Sequence, residues 1–273
     1  MKVILSRKGF DSSYGGQPSP ILPDGRTLLS LPIPQKQDTL NFHDLNYEDK
    51  TYYEIIKELS PKNFQINIDT CAHLDPDLRK DIHKNRKSNW KPLFGQSHAA
   101  QGHLVNQKVE IGDLFLFFGW FKETEFKNGK ITYKEKAADL HVIFGYLQIG
   151  EIYKYGDEFP EYTKYHPHCN FDYINDNTNC IYVARDKLSF DNNFNGAGTL
   201  NFKNNLVLTN QSEGMSRSKW VLPEFFKNLK ITYHSEKSFK TKYFQSANIG
   251  QEFVIQENEK LNDWVKEIIT NNL

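Results

Sequence analysis

The chain has 273 residues, of which 38% are hydrophobic, enough apolar material to bury the core of one large domain. Lysine and arginine together number 34, as do aspartate and glutamate, so no overall charge marks the protein for nucleic acid or an anionic membrane. The three cysteines lack CxxC spacing, which argues against a disulfide framework and a cysteine-rich zinc site. We expect a single domain over residues 1–273.

The chain start is basic, but the apolar run before Arg7 is too short for the core of a signal peptide. No stretch approaches the roughly 20 apolar residues that a transmembrane helix needs. The sequence therefore predicts a cytoplasmic protein without a membrane partner.

The first predicted element is a buried strand at residues 3–5, followed by a polar, glycine-containing loop at residues 7–16. Cationic groups, hydroxyls and backbone amides in such a loop could face one anion such as a phosphate. The loop lacks the spacing of a P-loop or a dinucleotide fold, and a solvated turn capped by an aspartate is the alternative. The candidates are Arg7, Lys8, Asp11, Ser12 and Ser13.

The next segments alternate between regular structure and turns. Prolines in residues 18–34 predict a turn at 23–25 and an extended stretch after it. Apolar residues at helical spacing predict a helix over residues 46–59, and period-two alternation predicts a strand over 64–69.

Acidic residues and a histidine follow that strand. Asp69, His73, Asp75 and Asp77 could chelate a divalent ion for phosphodiester hydrolysis. Asp75 before a proline is better explained as the N-cap of a helix, which leaves His73 open as a catalytic candidate.

A second polar cluster lies at residues 94–103, just before the most hydrophobic stretch of the chain. Histidine suits proton transfer, and glutamine suits hydrogen bonds to a base edge. The alternative is a connecting loop with surface histidines. The candidates are Gln96, His98, Gln101 and His103.

Residues 109–121 and 140–153 are apolar and aromatic, which predicts an antiparallel pair of core strands around an insert at 122–136. Shorter strands are expected at 180–184, 206–209 and 229–233, and a closing helix at 262–273. The sequence therefore predicts an α+β fold with a mainly antiparallel β core and peripheral helices.

Two further motifs could carry chemistry. The run His166-Pro167-His168-Cys169 brings two imidazoles and a thiol together, but it lacks the second ligand pair of a metal site, so a surface loop is the preferred explanation. In residues 209–226, Arg217 and Ser218 could hold a phosphate and Trp220 could stack on a base, or Trp220 could anchor the loop in the core.

The chain resembles the third nucleotide-modification-associated domain family, proteins encoded among phage and bacterial DNA-modification genes. The resemblance rests on SRKGFDSSYGGQPSPILPDG with SLPIP at 6–34, GDLFLFFGWF at 112–121 and SRSKWVLPEFF at 216–226. It implies a nucleic-acid-modification context. The pattern of GD, an aromatic strand and a glycine-bearing apolar strand also looks like the small PUA, EVE and ASCH barrels, which hold nucleobases.

The leading hypothesis is an enzyme that acts on DNA or a nucleotide in base modification or phage defence. Arg7 and Lys8 would hold phosphate with the help of Ser12, and Asp11 would act as an acid, a base or a metal-orienting carboxylate. His98 or His103 would transfer protons. Substrate would be held by Ser13, Gln96, Gln101, Arg217, Ser218 and Trp220.

Two alternatives remain open. A non-catalytic reader of modified bases would use Gln96, Gln101 and the aromatic residues of 115–121. A metal-dependent nuclease that restricts foreign DNA would use Asp11, Asp69 and His73, and a divalent metal is a candidate cofactor.

Overall fold

The computed structural model describes residues 1–60, 66–84, 86–212, 215–247 and 251–273. Its strands are β1 (Val3–Arg7), β2 (Ser19–Ile21), β3 (Ile33–Pro34), β4 (Asn46–Tyr47), β5 (Lys50–Thr51), β6 (Ala72–His73), β7 (Leu93–Gln96), β8 (Leu114–Lys127), β9 (Lys130–Tyr133), β10 (Leu140–Lys154), β11 (Cys180–Ala184), β12 (Lys187–Leu188), β13 (Asp191–Asn195), β14 (Ala197–Thr199), β15 (Lys219–Trp220), β16 (Phe244–Gln245) and β17 (Glu252–Ile255). The helices are α1 (Tyr52–Leu59), α2 (His98–Asn106), α3 (Phe171–Ile174) and α4 (Glu259–Thr270). No helix among the described residues is long and apolar enough to cross a membrane.

One large sheet organises the chain, in the order β17-β1-β8-β10-β11-β7, with β2, β9 and β14 attached at its sides. Strands β8 and β10 pair antiparallel, as predicted, with Leu140 opposite Phe121. Strand β1 runs parallel to β8, which places Arg7 opposite Phe118. Most other pairings are antiparallel, so the predicted α+β class with a mainly antiparallel core is confirmed.

The sheet centre is apolar on both faces because β8 and β10 carry nearly continuous hydrophobic runs. Phe115, Phe117 and Phe118 of β8 are fully buried. Along the described strands the sheet runs from β17 at one edge to β7 at the other, so a PUA-like barrel stays unconfirmed.

Helix α1 begins later than predicted. The Thr51 hydroxyl accepts from the backbone of Glu54, whose carboxylate accepts from the Thr51 backbone, and this capping box sets the start at Tyr52. Residues before it pair as β4 and β5 instead. Helix α4 is confirmed, but it begins at Glu259 because Asn258 caps it.

Three predicted strands differ from the structure. Of residues 64–69, the first two lie outside the described residues and the others form a turn. Residues 206–209 and 229–233 make only isolated bridges, through Val207, Thr209 and Ile231. Such short apolar segments fill the core without extending a sheet.

The prediction of a helix that begins at Asp75 is wrong. Asp77 exchanges two backbone hydrogen bonds with Leu93, which holds the segment extended. The carboxylate of Asp77 pairs with Arg86. An aspartate before a proline is typical of a helix start, but here both aspartates make tertiary contacts.

The polar cluster at 94–103 is also more ordered than a connecting loop. Strand β7 ends at Gln96, and α2 starts two residues later. The backbone amide of His98 donates to Thr178 Oγ1 at 2.6 Å, which ties the start of α2 to a distant part of the chain.

Candidate functional site

The loop after β1 forms a wall shared by two clefts. Arg7, Lys8 and Asp11 line both a cleft of about 650 Å³ and a second cleft of about 590 Å³. We call the larger the arginine cleft, because Arg217 also lines it, and the smaller the histidine cleft, because His73 and His168 line it. Strand β1 delivers the loop here because the Lys8 backbone amide still donates to the carbonyl of Phe118.

The loop is a capped turn, as the alternative explanation of the sequence proposed. Oδ1 of Asp11 accepts hydrogen bonds from the backbone amides of Ser13 and Tyr14, both at 2.7 Å. Gly15 has φ of +84°, and a Cβ there would lie 2.3 Å from the Phe10 ring. The turn therefore depends on glycine, and one Asp11 oxygen is already used to hold it.

The arginine cleft contains two guanidinium groups. Arg217 lies over the Trp120 ring at 3.9 Å, and its Nη2 donates to Ser12 Oγ at 2.5 Å. Burial lowers the pKa of Arg7, and the nearby charge of Arg217 lowers it further, while Asp11 acts in the opposite direction. Two planar guanidinium groups on one cleft are suited to a multiply charged oxyanion such as phosphate.

Ser218 also lines the arginine cleft, with its hydroxyl 3.2 Å from that of Ser216. Trp220 does not line it. Trp220 is only 1% exposed, and its Nε1 donates to Nδ1 of His141 at 3.0 Å. Its ring packs edge-on against Phe118. The predicted stacking of Trp220 on a base is therefore replaced by the alternative, a core anchor.

The histidine cleft holds a cluster of three side chains, which we call the His-Asp-His cluster: His73, Asp75 and His168. One potential ligand atom from each lies within 4.8 Å of the other two. The three residues come from β6, from the segment after it and from a 3₁₀ turn at Pro167–Cys169. Of the predicted catalytic residues, His73 is thus placed in a group that could hold a metal.

Each member of the cluster has an outer partner. Nδ1 of His73 lies 2.8 Å from Asp38 Oδ2, and Nδ1 of His168 lies 2.7 Å from Asn179 Oδ1. Oδ1 of Asp75 accepts from the backbone amide of Gly95 at 2.8 Å. These contacts fix the orientation of both rings and of the carboxylate.

Electrostatics favour a charged aspartate beside a neutral imidazole. Burial raises the pKa of Asp75, but the hydrogen bond from His166 and the charge of Lys8 outweigh it, so the pKa lies well below its usual value. Burial lowers the pKa of His168 to about 3. A carboxylate and a neutral imidazole are the protonation states in which both groups bind metals.

Packing holds His168 in place from two sides. The Tyr173 ring stacks on it with the centroids 4.4 Å apart. On another side, Gly95 has no side chain, and a Cβ there would lie 2.2 Å from the His168 ring. A glycine at this position of β7 is therefore required by the histidine.

Lys8 is paired within the protein. Its Nζ lies 3.1 Å from Glu252 Oε1 and 4.4 Å from the centre of the Phe94 ring. Gln96 donates to the same Glu252 oxygen at 2.7 Å. Lys8 and Gln96 thus line the histidine cleft with Nζ and Nε2 bound to Glu252, which was not a predicted site residue.

The remaining predicted residues are dispersed. His98 is 77% exposed at the rim of the histidine cleft, with Nδ1 3.0 Å from Asp176. His103 lines the same cleft, and its Nε2 lies 3.0 Å from Thr232 Oγ1. Gln101 is buried away from it and accepts from the Tyr182 hydroxyl.

The residues predicted for a modified-base reader and for a nuclease do not come together in one cleft either. Among the aromatic residues of 115–121, only Trp120 lines a cleft; Phe115, Phe117, Phe118 and Phe121 are fully buried. Asp69 lines a separate pocket, which neither Asp11 nor His73 lines.

Sequence reasoning weighed Asp75 and His168 but did not select them, and it missed Asp38, Asn179 and Glu252. Two local signals pointed to the cluster, the His-x-His run at 166–168 and the acidic segment around His73 and Asp75, but no local pattern joins them. The structure supplies the missing ligand pair from residues 73–75, and Asp75 and His166 are 91 positions apart.

Residues 2–256 match the family described as nucleotide modification associated domain 3. No curated protein and no solved structure matches the chain.

Proposed function

Because the chain belongs to the nucleotide modification associated domain 3 family, we propose that it is an enzyme that modifies a nucleotide or a DNA base in the two clefts beside the β1 loop. The observation that carries this proposal is the shared wall. Arg7 and Asp11 face the arginine cleft on one side and the cleft with the His-Asp-His cluster on the other.

In this proposal a phosphate of the substrate lies against Arg7 and Arg217. Guanidinium groups donate paired hydrogen bonds to phosphate oxygens, and Ser12 already accepts one such bond from Arg217. Lys8 has no phosphate role here because its charge is matched by Glu252. Asp11 holds the turn that carries Ser12, the hydrogen-bond partner of Arg217.

The attached sugar and base would extend into the histidine cleft. Gln96 and His103 lie there with the His-Asp-His cluster. A cleft of about 590 Å³ is large enough for a nucleoside-sized group. His103, whose pKa is lowered by burial, lines the same cleft outside the cluster and would be available for proton transfer.

A nuclease is the second candidate, and one observation favours it. Two imidazoles and a carboxylate in a cleft lined by basic residues could hold a metal for hydrolysis of a phosphodiester. The nuclease would use His73, Asp75 and His168, whereas the sequence had predicted Asp11 and Asp69 together with His73.

The test is incubation of the purified protein with deoxynucleotides and with plain and base-modified DNA, with and without Mg²⁺, Mn²⁺ or Zn²⁺. Nucleosides are read by mass spectrometry and strand integrity on a gel. We expect a mass change in a nucleoside without strand cleavage. Arg217→Ala should reduce it, whereas Arg185→Ala, an exposed arginine that lines neither cleft, should not.

Cleavage that needs a metal would support the nuclease instead. Binding without any mass change or cleavage would indicate that the protein reads modified bases without catalysis. A mass change that is equal in the wild type and in Arg217→Ala would contradict the assignment of the phosphate to the arginine cleft.

A further inference from the structure

The hydrogen bonds around His168 leave one ring nitrogen for a ligand. Asn179 donates through Nδ2 to the carbonyl oxygen of His168 at 2.8 Å, so its other amide atom is the acceptor Oδ1. That oxygen lies 2.7 Å from Nδ1 of His168. Nδ1 must therefore carry the hydrogen, and in the neutral ring Nε2 has the free lone pair.

The same reasoning applies to His73. The carboxylate of Asp38 has two neighbours: its Oδ1 accepts a hydrogen bond from the side-chain Nδ2 of Asn170 at 2.8 Å, and its Oδ2 lies 2.8 Å from Nδ1 of His73. An ionised carboxylate can only accept, so Nδ1 of His73 is a donor. Nε2 of the neutral ring is again left with its lone pair, and a carboxylate behind a histidine raises the basicity of that lone pair.

Asp75 is prepared in a similar way. Its Oδ1 accepts from the Gly95 amide and from Nε2 of His166. The His166 ring has the matching tautomer, because its Nδ1 accepts from the backbone amide of His168 at 3.3 Å. Oδ2 of Asp75 makes no hydrogen bond within the described part of the chain that would compete for it.

We propose that Nε2 of His73, Nε2 of His168 and a carboxylate oxygen of Asp75 bind a divalent first-row transition-metal ion. Two imidazoles and one carboxylate suit Zn²⁺, Fe²⁺, Co²⁺ or Mn²⁺ better than Ca²⁺ or Mg²⁺, which prefer all-oxygen sites. Three protein ligands leave coordination positions open toward the histidine cleft, as in catalytic sites and unlike closed structural ones.

The outer partners strengthen this assignment. In most metal-bound histidines of proteins, the second ring nitrogen donates a hydrogen bond to a carboxylate or carbonyl oxygen. Both histidines here do so, to Asp38 and to the amide oxygen of Asn179. A histidine pair used only for core packing would not require this arrangement on both rings.

The site is tested with the full chain after treatment with a chelator. Zn²⁺ binding is measured by titration calorimetry, and Co²⁺ binding by the visible absorption of the bound ion. We expect saturable binding of one ion per chain and a rise in the melting temperature on adding Zn²⁺. No nucleotide is present, so the result does not depend on the proposed function.

Variants locate the ion. His73→Gln and His168→Gln should abolish high-affinity binding. Asp38→Asn removes the charge of an outer partner and leaves one oxygen for its two hydrogen bonds, so it should weaken binding on the order of 10- to 100-fold. His98→Ala is the matched control, because His98 lies on the rim of the same cleft but outside the cluster. It should bind Zn²⁺ like the wild type.

Circular dichroism checks that each variant is folded. Should a histidine variant not fold, the wild-type titration and Asp38→Asn still decide the question. Absence of saturable binding to the folded wild type, or equal affinity in the wild type and Asp38→Asn, would overturn the proposal.

Discussion

Asn179 makes two hydrogen bonds to His168, one from its Nδ2 to the backbone carbonyl and one from the imidazole Nδ1 to its Oδ1. The amide thus fixes both the position and the tautomer of a ring 11 residues earlier in the chain. Asn179 is itself nearly fully buried.

Asn179→Ala should therefore weaken Zn²⁺ binding on the order of 10- to 100-fold, because the ring loses its fixed tautomer. Calorimetry on the variant and on Asn192→Ala, an exposed asparagine of β13, checks this. Wild-type affinity in Asn179→Ala would mean that the amide does not control the histidine.

Gly95→Ala should displace His168, since a Cβ at this position would lie 2.2 Å from the ring. We expect a loss of stability of about 1–3 kcal/mol from overpacking and a loss of Zn²⁺ binding. Gly102→Ala in α2 is the control, because a Cβ there meets nothing within 4 Å. It should stabilise the protein by about 0.5–1 kcal/mol through helix propensity, as measured by urea unfolding.

The Lys8–Glu252 pair should behave as a coupled buried ion pair, since both side chains are largely inaccessible. Lys8→Met leaves the Glu252 carboxylate without its cation and should cost about 3–5 kcal/mol of unfolding free energy. The double variant Lys8→Met, Glu252→Gln should recover most of that loss. Strictly additive effects in a double-mutant cycle would show that the pair is not coupled.

His141 should make the protein less stable in acid. Burial, together with the charges of Arg217 and Arg7, lowers its pKa to about 3, from 6.5 in the unfolded chain. Between these pH values the unfolded state binds more protons than the folded state, so the free energy of unfolding decreases as pH falls below 6.5. Between pH 7 and pH 5, His141 should lower the free energy of unfolding by about 2 kcal/mol.

Urea unfolding of His141→Asn at both pH values tests this effect. Asparagine keeps an acceptor for the Trp220 indole but does not titrate. Its unfolding free energy should fall less than that of the wild type between pH 7 and pH 5, whereas the exposed His98→Asn should follow the wild type. An unchanged pH dependence in His141→Asn would contradict the prediction.

Local patterns predicted much of the sheet but little of the His-Asp-His cluster. The apolar runs of β8 and β10 and the turn after β1 are set by nearby residues, so their pairing and position could be read from the sequence. By contrast, Asp75 looked like a helix cap because that signal is local. Its actual partners, Gly95 and His166, are 20 and 91 positions away.

The same distinction explains the errors in the candidate site. Trp220 and Gln101 have side chains suited to a nucleobase, but the packing of β15 and α2 buries them, and no local pattern signals that. Arg217 reaches the β1 loop across 205 positions to meet Ser12. Such contacts follow from strand order, which the periodicity of single segments does not determine.

The most direct test of the central claim is nucleotide binding at the arginine cleft, measured by tryptophan fluorescence. Arg217 lies 3.9 Å above Trp120, so an anion that draws Arg217 away should change the emission of that ring. We predict a saturable change with deoxynucleotides or short DNA, absent in Trp120→Phe. Binding should be weaker by about 10-fold or more in Arg217→Ala, since a hydrogen bond to a charged group contributes roughly 1.5–3 kcal/mol. Equal affinity in the wild type, Arg217→Ala and the control Arg185→Ala, measured by calorimetry, would contradict the claim that substrate phosphate binds beside the β1 loop.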